Sequence, residues 1–575
     1  MNTKIMDRMN SKKTLPLIIA VALTLTLVLS LTAPAGAATV TLTLDFSANP
    51  ADDSVPADGW WWEHDTKTLT LNNFSMLTGC STAILLPADS ILQLTGNNSV
   101  NASNGTSIYA SGNMTIKGNG KVSITSKYDG INTDDSVTIN NGTVTINSTA
   151  GRGIWADENV TINNGTVSII SPDGHGISAG DSVTINNGTI SITSYNDGIS
   201  TDNGPVTINN GTVTINSTYY CGIDADDVTI NGGTVSIRSY DEGIYAGDVT
   251  INGGKITINA PADAGIYACN VTISNGTVSI TSYYDGIEAN NVTISGGTVT
   301  INSDDYGISA DDNVTISNGT VSITSCSDGI EADDVTISGG TVTIKSTDDA
   351  GIYADNVIIS GGKLSITADD EGIFADDVTI TGGMISIITS YYEGIWAGNV
   401  TITGGSGLIK TSSSTDGIWA VMCNNNLDVD DSIPVKGWSG TGYTVPVFVD
   451  FMYSDEYDDD YETFVSDGGT PMKNIWFGDG APSGGGGGGN STGQATIVEG
   501  SKPANTQPTQ PATPQPETPQ PETNNRNTDT EQTTDDNSQN SDTGGSNSML
   551  ILGLIVLAVL ILAVGFFLYS KYGKK

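Results

Sequence analysis

Basic residues are scarce in this chain of 575 residues. Lys and Arg number 21 against 64 Asp and Glu, a formal net charge of −43. So acidic a surface repels nucleic-acid phosphates, which excludes DNA and RNA as partners. It also repels polyuronates unless cations bridge the two. His64 and His175 are the only histidines, which excludes a histidine-rich metal site. The five cysteines, Cys80, Cys221, Cys269, Cys326 and Cys423, are odd in number and form no CxxC. They do not make a disulfide framework, and mostly free or buried thiols are expected. Leucine is nearly absent from the middle of the chain, and no helical period appears there.

Long apolar runs occur only at the two ends. Lys4, Arg8, Lys12 and Lys13 precede an apolar run from Leu15 to Leu31, and Ala35-Gly36-Ala37 fits a signal-peptidase site. A leader over 1–37 is expected. Met549 to Tyr569 carries no charge and is long enough, at about 1.5 Å per helical residue, to span a bilayer. Lys571, Lys574 and Lys575 follow and keep that end inside, so 570–575 reads as a cytoplasmic tail. Between 479 and 548 lie Gly484 to Gly489 and then a Pro/Thr/Asn-rich stretch almost without apolar residues. Such a segment cannot bury a core and reads as a disordered stalk. The sequence thus predicts a protein on the outer face of a membrane, held by a single span.

What fills the middle is a repeat. A Gly-Ile pair recurs with its glycine at 130, 153, 176, 198, 222, 243, 265, 286, 307, 329, 351, 372, 394 and 417, at steps of 21 to 24 residues. Weaker copies at Ser107-Ile108 and Ala83-Ile84 extend the array. One unit reads DGIEADDVTISGGTVTIKST, from Asp328 to Thr347. It holds Gly-Ile-x-Ala, a Val-x-Ile, a turn such as Ser338-Gly339-Gly340, and a second Val-x-Ile. The alternation puts Val and Ile on one face and Thr, Ser and Asn on the other. Asn-Gly and Gly-Gly supply the positive φ of tight turns. The Asn-Gly-Thr sequons at Asn141, Asn164, Asn187 and Asn275 follow from that turn and carry no separate signal.

A unit this short must stack on copies of itself. A leucine-rich solenoid is excluded for want of leucine. The sequence therefore predicts an all-β fold: a right-handed parallel β-helix of about 22-residue coils, with the hand taken from the rule for parallel crossovers. Its repeats would occupy 106–426. A cap with the first coils would occupy 38–105, and a second cap 427–478, where Asp458, Asp459 and Asp460 are a weaker cation candidate.

VTINGGTVSIRSYDEGIYAGD and its copies, with the lead-in GWWWEHDTKTLTLNNFSM from Gly59 to Met76, resemble the secreted β-helix proteins called carbohydrate-binding domain-containing, within the broad pectate-lyase-like superfamily. The likeness covers about 38–478. It implies extracellular polysaccharide binding, with calcium as the expected cofactor, and does not by itself imply catalysis.

Stacking turns each repeat position into a column. The residue before the glycine is acidic in Asp129, Asp197, Glu242, Asp285, Asp328, Glu371, Glu393 and Asp416. Four after it is Asp in Asp134, Asp157, Asp202, Asp226, Asp311, Asp333, Asp355 and Asp376. Carboxylates about 4.8 Å apart repel, and calcium, which takes six to eight oxygens in loose geometry, relieves this. The first candidate set is Asp328, Glu331, Asp333 and Asp334. The second is Asp285, Glu288, Asn290 and Asn291, with Glu242, Glu371 and Asp376 as further ligands. In the centre the acids before the glycine recur every second coil, as discrete ions would require. The plain alternative is that the acids only keep the surface solvated.

Two after the glycine lie Trp155, Tyr245, Tyr267, Tyr353, Phe374, Trp396 and Trp419. Exposed rings beside carboxylates suit a sugar-binding face, while the alternative is a ring ladder that stabilises the solenoid. A lyase would need a base, for which Arg152 and Lys127 are the candidates. Among so many acids a cation more often serves as an ion-pair partner, so a non-enzyme is expected.

Overall fold

The structure is a computed structural model that describes residues 43–55, 58–413, 418–438, 447–449, 463–465 and 472–479. The leader, stalk, apolar C-terminal run and cytoplasmic tail lie outside the described residues, as do Asp416, Gly417 and Asp458 to Asp460. Among the described residues every regular element is a strand, and no helix is long and apolar enough to cross a membrane. The strands wind into a parallel β-solenoid of about 16 turns with coils of about 22 residues.

Each coil gives strands to two long parallel sheets. Ile330–Ile337 lies in one and Thr341–Ser346 in the other. Register is kept coil to coil, with Ile330 on Ile352 and Ile352 on Ile373. Ile330, Ala332, Val335, Ile337, Val342 and Ile344 all point inward and are buried. The turn between the sheets needs its second glycine, since Gly340 has φ +78° and Gly165 +107°.

Gly-Ile-x-Ala and the first Val-x-Ile are separate strands in the early coils, as in Ile131–Thr133 and Val137–Ile139. From Ile223–Ile230 onward they fuse into one. The cause is length. Three residues separate Thr133 from Val137, but only two separate Ala332 from Val335. The shorter link turns the corner without leaving the ladder, and the two fused strands that keep three residues there, Ile308–Ile316 and Val421–Val429, take up the extra one as a shift of register. At the solenoid's start, Asp53–Val55, Trp60–Glu63 and Thr68–Asn72 pair antiparallel. Phe46 stacks on Trp62 there at 4.8 Å. At the far end Asn474–Phe477 runs antiparallel to Ser406–Thr411 and to Val435–Trp438.

The last Gly-Ile frame slips. Gly394 N–H does not face a glycine coil at Gly417. The Ile395 N–H donates to the Ala420 carbonyl at 3.0 Å, and Ile395 is in register with Val421. Ala420-Val421 therefore occupies the Gly-Ile place, three residues later than the spacing predicts.

Candidate functional site

Positions are counted from the glycine of each coil. The −1 column does not line an outer edge, contrary to the sequence expectation. Asp197, Asp285, Asp328, Glu371 and Glu393 are all buried, because the preceding turn folds over them. Several of these acids hold the next coil. Asp129 Oδ1 accepts the Arg152 N–H at 2.9 Å, Asp197 Oδ1 the Cys221 N–H at 3.0 Å, and Asp285 Oδ1 the Tyr306 N–H at 3.2 Å. At Asp328 the Ala350 N–H of the next coil favours the carboxylate in the same way but is shared with a second acid. The Ala350 N–H donates to Asp349 Oδ1 at 3.2 Å, while Oδ1 of Asp328 is buried with no hydrogen-bond partner.

Burial makes four of the carboxyls in this column, Asp285, Asp328, Glu371 and Glu393, weak acids. Burial, then the charges of Asp349 and Glu331, push Asp328 up to about 8. Burial and Asp370 push Glu371 up to about 8. Burial, Glu288 and Asp305 bring Asp285 to about 7, and burial brings Glu393 to about 7. Glu331 and Glu288, half-buried in the +2 column, are raised by burial and then by neighbouring acids.

The first candidate set is split in two. Asp328 and Glu331 face each other, together with Asp305, Asp349 and Glu371. Asp333 and Asp334 are exposed at the corner, where Asp333, Asp334 and Asp376 act on Asp355. The strand explains the split: Ala332 points inward between them, so Glu331 and Asp333 leave on different faces of the bend. The second set divides likewise. Asp285 is buried, Glu288 half-buried beside it, and Asn290 and Asn291 lie at the corner.

Next to the corner acids runs a side-chain ladder. Asn356 Nδ2 donates to Asp334 Oδ1 at 2.8 Å and Asn399 Nδ2 to Asp377 Oδ1 at 2.6 Å. Asn313 donates to Asn291, and Asn291 to Asn270. Amide donors thus separate Asp334 from Asp377 and relieve part of the repulsion without an ion. A groove of about 340 Å³ follows this ladder, lined by Asn313, Asp334, Asn356, Ile358, Asp377 and Asn399. None of the predicted rings lines it.

Among the described residues, one group of three Cys, His or acidic side chains brings all its ligand atoms within 4.8 Å, and it is Cys221, Asp241 and Glu242. Cys221 Sγ donates to Glu242 Oε2 at 3.2 Å, and burial followed by the Glu242 charge pushes the thiol up. Neither predicted set of four is such a group.

The +2 rings form two short stacks. Tyr245 and Tyr267 lie 5.2 Å apart and parallel within 4°. Tyr353 and Phe374 are 5.2 Å apart and parallel within 3°, and Trp396 meets Phe374 edge-on at 5.2 Å. Tyr245, Tyr267 and Tyr353 are exposed, Phe374 and Trp396 half-buried. Trp419 is not in this column. The slipped frame places it at −1, buried at 9% exposure, and Met422 takes its place beside Trp396. Trp155 stands alone between Asn132 and Ser178, with the Arg152 guanidinium 3.9 Å from its ring centre. Lys127 likewise lies over Tyr128. His175 Nδ1 lies 3.1 Å from Asp197.

A third stack lies just before the Gly-Ile strand, where the sequence marks Tyr240 with Tyr283, Tyr284, Tyr391 and Tyr392 but not its partners Tyr195 and Tyr219. Tyr195, Tyr219 and Tyr240 sit three before the glycine in successive coils, with centroid separations of 5.2 and 5.7 Å. The signal was a tyrosine at the same place in SYNDGI, TYYCGI and SYDEGI.

The profile of the carbohydrate-binding domain-containing protein family matches residues 78–265, 173–307, 211–350 and 304–433, together more than half of the chain. The chain belongs to this family. No curated protein and no solved structure matches it. Membership on a β-solenoid supports carbohydrate binding and suggests a binding protein without catalysis.

Proposed function

We propose that this member of the family binds polysaccharide along its Gly-Ile face, at the outer surface of a membrane, with calcium at the corner acids. The observation that carries the reading is the stack of exposed Tyr353 on half-buried Phe374 beside a row of carboxylates. Flat rings at the spacing of one coil offer successive pyranose faces a platform, and the neighbouring Glu331 and Asp355 offer acceptors to hydroxyls. The uncharged run from Met549 to Tyr569 supports the membrane anchor.

The corner acids fit a hard cation. Asp333, Asp355 and Asp376 supply oxygen only, are exposed, and stand on three successive coils, each with a pair of acid or amide neighbours. Bound there, calcium would neutralise the column and tie the coils together. Asn290 and Asn291 extend the same corner towards the N-terminus.

A second reading rests on its own observation. The carboxylates of Asp129, Asp197 and Asp285 accept backbone N–H groups of the next coil, so that part of the −1 column serves the solenoid itself. Arg152 and Lys127, the bases a lyase would need, lie over rings. A glycan array probed with the chain, in calcium and in chelator, separates the readings. Binding that the Tyr353→Ala and Phe374→Ala variants weaken supports the polysaccharide face. A chain that binds no glycan in either condition is a structural surface protein.

A further inference from the structure

The acids around Asp328 lack a counter-charge. Among the described residues the ion pairs are Lys67 with Asp89 and His175 with Asp197, both far along the chain from this row. The lysines of the neighbouring coils, Lys345 and Lys363, stand in the strands of the other sheet, Thr341–Ser346 and Lys363–Ala368. Asp305, Asp328, Asp349 and Glu371 follow one another on four successive coils, and Glu331 leans into them from the +2 column. Asp328 is 6% exposed, and its Oδ1 has no partner. The Ala350 N–H is the one backbone donor acting on this carboxylate, and a buried carboxylate oxygen without a partner is costly unless a proton or a cation meets it.

Beside the acids stands a ring. Glu331 is in register with Tyr353, which is 43% exposed and stacked on Phe374. Tyr306, in the −1 column between Asp285 and Asp328, is half-buried next to Asp328 and Glu331. The site therefore joins an anionic recess to an aromatic platform. A bare divalent ion would use the recess and leave the platform idle. A ligand that carries an ammonium on a flat ring uses both, since an ammonium brings three N–H donors and is attracted to aromatic faces.

We propose that the recess of Asp305, Asp328, Glu331 and Asp349 binds the ammonium groups of an amino-sugar polysaccharide whose pyranose rings stack on Tyr353 and Phe374. This rests on the reading that the Gly-Ile face binds polysaccharide, and it names the class of sugar. The charge of the chain agrees, for an acidic surface attracts a polyamine and repels a polyuronate. The two-coil rhythm agrees as well. Asp285, Asp328 and Glu371 recur at alternate coils, with Tyr306 and Ala350 between. In an extended β-1,4-linked chain each sugar is turned over relative to the last, so amines of alternate sugars point to the same side. One sugar advances by nearly the 5.2 Å that separates Tyr353 from Phe374, so alternate amines return to the −1 acids, while Asp305 and Asp349 serve the coils between.

The test is calorimetry on the full-length chain in detergent, freed of divalent ions, at neutral pH, closer to the value of about 8 at which the Asp328 carboxyl gives up its proton. The probes are β-1,4-linked oligomers of glucosamine, of N-acetylglucosamine and of glucose, equal in length, and calcium alone. The glucosamine oligomer is expected to bind about tenfold tighter than the other two. Asp328→Asn with Glu331→Gln is expected to erase that preference and keep the affinity for the neutral oligomers, while Tyr353→Ala weakens all three. Circular dichroism of each variant confirms the solenoid. Equal affinity for all three oligomers overturns the ammonium site and leaves the polysaccharide reading standing. Binding of none overturns both. A preference that survives the double variant shows mere attraction to an acidic surface. Saturable calcium binding that the double variant abolishes, with no preference for glucosamine, makes the recess a metal site instead.

Discussion

Gly329 shows why the glycine of each coil is glycine. Its φ is not in the left-handed region, so turn geometry does not require it. Space does: a Cβ there would overlap Cγ2 of the interior Ile344 and the carbonyl of Gly351. Other residues fill the same place only at the ends of the array, Ala83 and Ser107 in the first coils and Ala420 in the last. Gly329→Ala is therefore expected to lower stability by about 1 to 3 kcal/mol, read as a lower urea midpoint. Asp328 makes a prediction in pH. Its ordinary carboxyl value is about 4 in the unfolded chain, against about 8 when folded. Below both values the two states carry the proton alike. As pH rises from about 4 to about 8 the unfolded chain releases its proton first, so stability falls through that window and levels off above it. Glu371, Asp285 and Glu393 act in the same sense. Asp305, Glu331, Asp349, Glu371, Tyr306 and Tyr353 are the titratable neighbours that face Asp328. Thermal scans without divalent ions are expected to show the melting temperature dropping from pH 5 to pH 8. Asp328→Asn should flatten that slope and melt a few degrees higher than the parent at pH 8. A melting temperature that rises over the window would mean that a cation already meets the acids.

At the scale of the element, the corners are held by side chains rather than by the strands alone. Five hydrogen bonds of 2.6 to 2.9 Å link Asn140, Asn163, Asn186, Asn209, Asn231 and Asn252 on one turn. The other corner alternates Asp334, Asn356, Asp377 and Asn399. Each amide there removes a like-charge contact, so Asn356→Asp would put three carboxylates in a row and delete the bond to Asp334. The variant is expected to melt lower than the parent in chelator, with calcium restoring more of the loss than sodium at equal ionic strength. Equal rescue by the two ions would assign the effect to screening and count against calcium at this corner.

Across the whole solenoid, the two tryptophans near its end separate function from architecture. Trp396 stands in the ring column, while Trp419 is buried at −1 behind the slipped frame. Trp419→Ala is expected to cost about 3 to 5 kcal/mol of stability through the cavity it leaves, with little change in glycan affinity at temperatures where the fold persists. Phe374→Ala is expected to do the reverse: a glycan affinity several-fold weaker and a smaller change in the urea midpoint. Reversed outcomes would move the binding face away from the +2 column, to the groove along Asn313 and Asp377.

The amino-acid sequence by itself determined the period, the strand positions within a coil and the inward ladders of Ile, Val and Ala, while the grouping of the strands into two sheets came from the structure. The first three follow from alternation within a strand and from Gly-Gly or Asn-Gly at fixed places, which are local properties of the chain. It also showed which residue types share a column, because a near-constant step of about 22 residues is enough to align them. It did show that the +2 rings face outward, but not that the −1 acids turn in. Asp328 and Asp333 look alike as acids five residues apart, yet one is buried and the other exposed, since the turn before the glycine folds over the −1 position and the bend after Ala332 turns the next residues out. Nor did spacing reveal the slip at Trp419. Gly417-Ile418 has the motif, but pairing with Ile395 takes Val421 instead. Register between coils is a contact between residues far apart in the chain, and only the packed structure decides it.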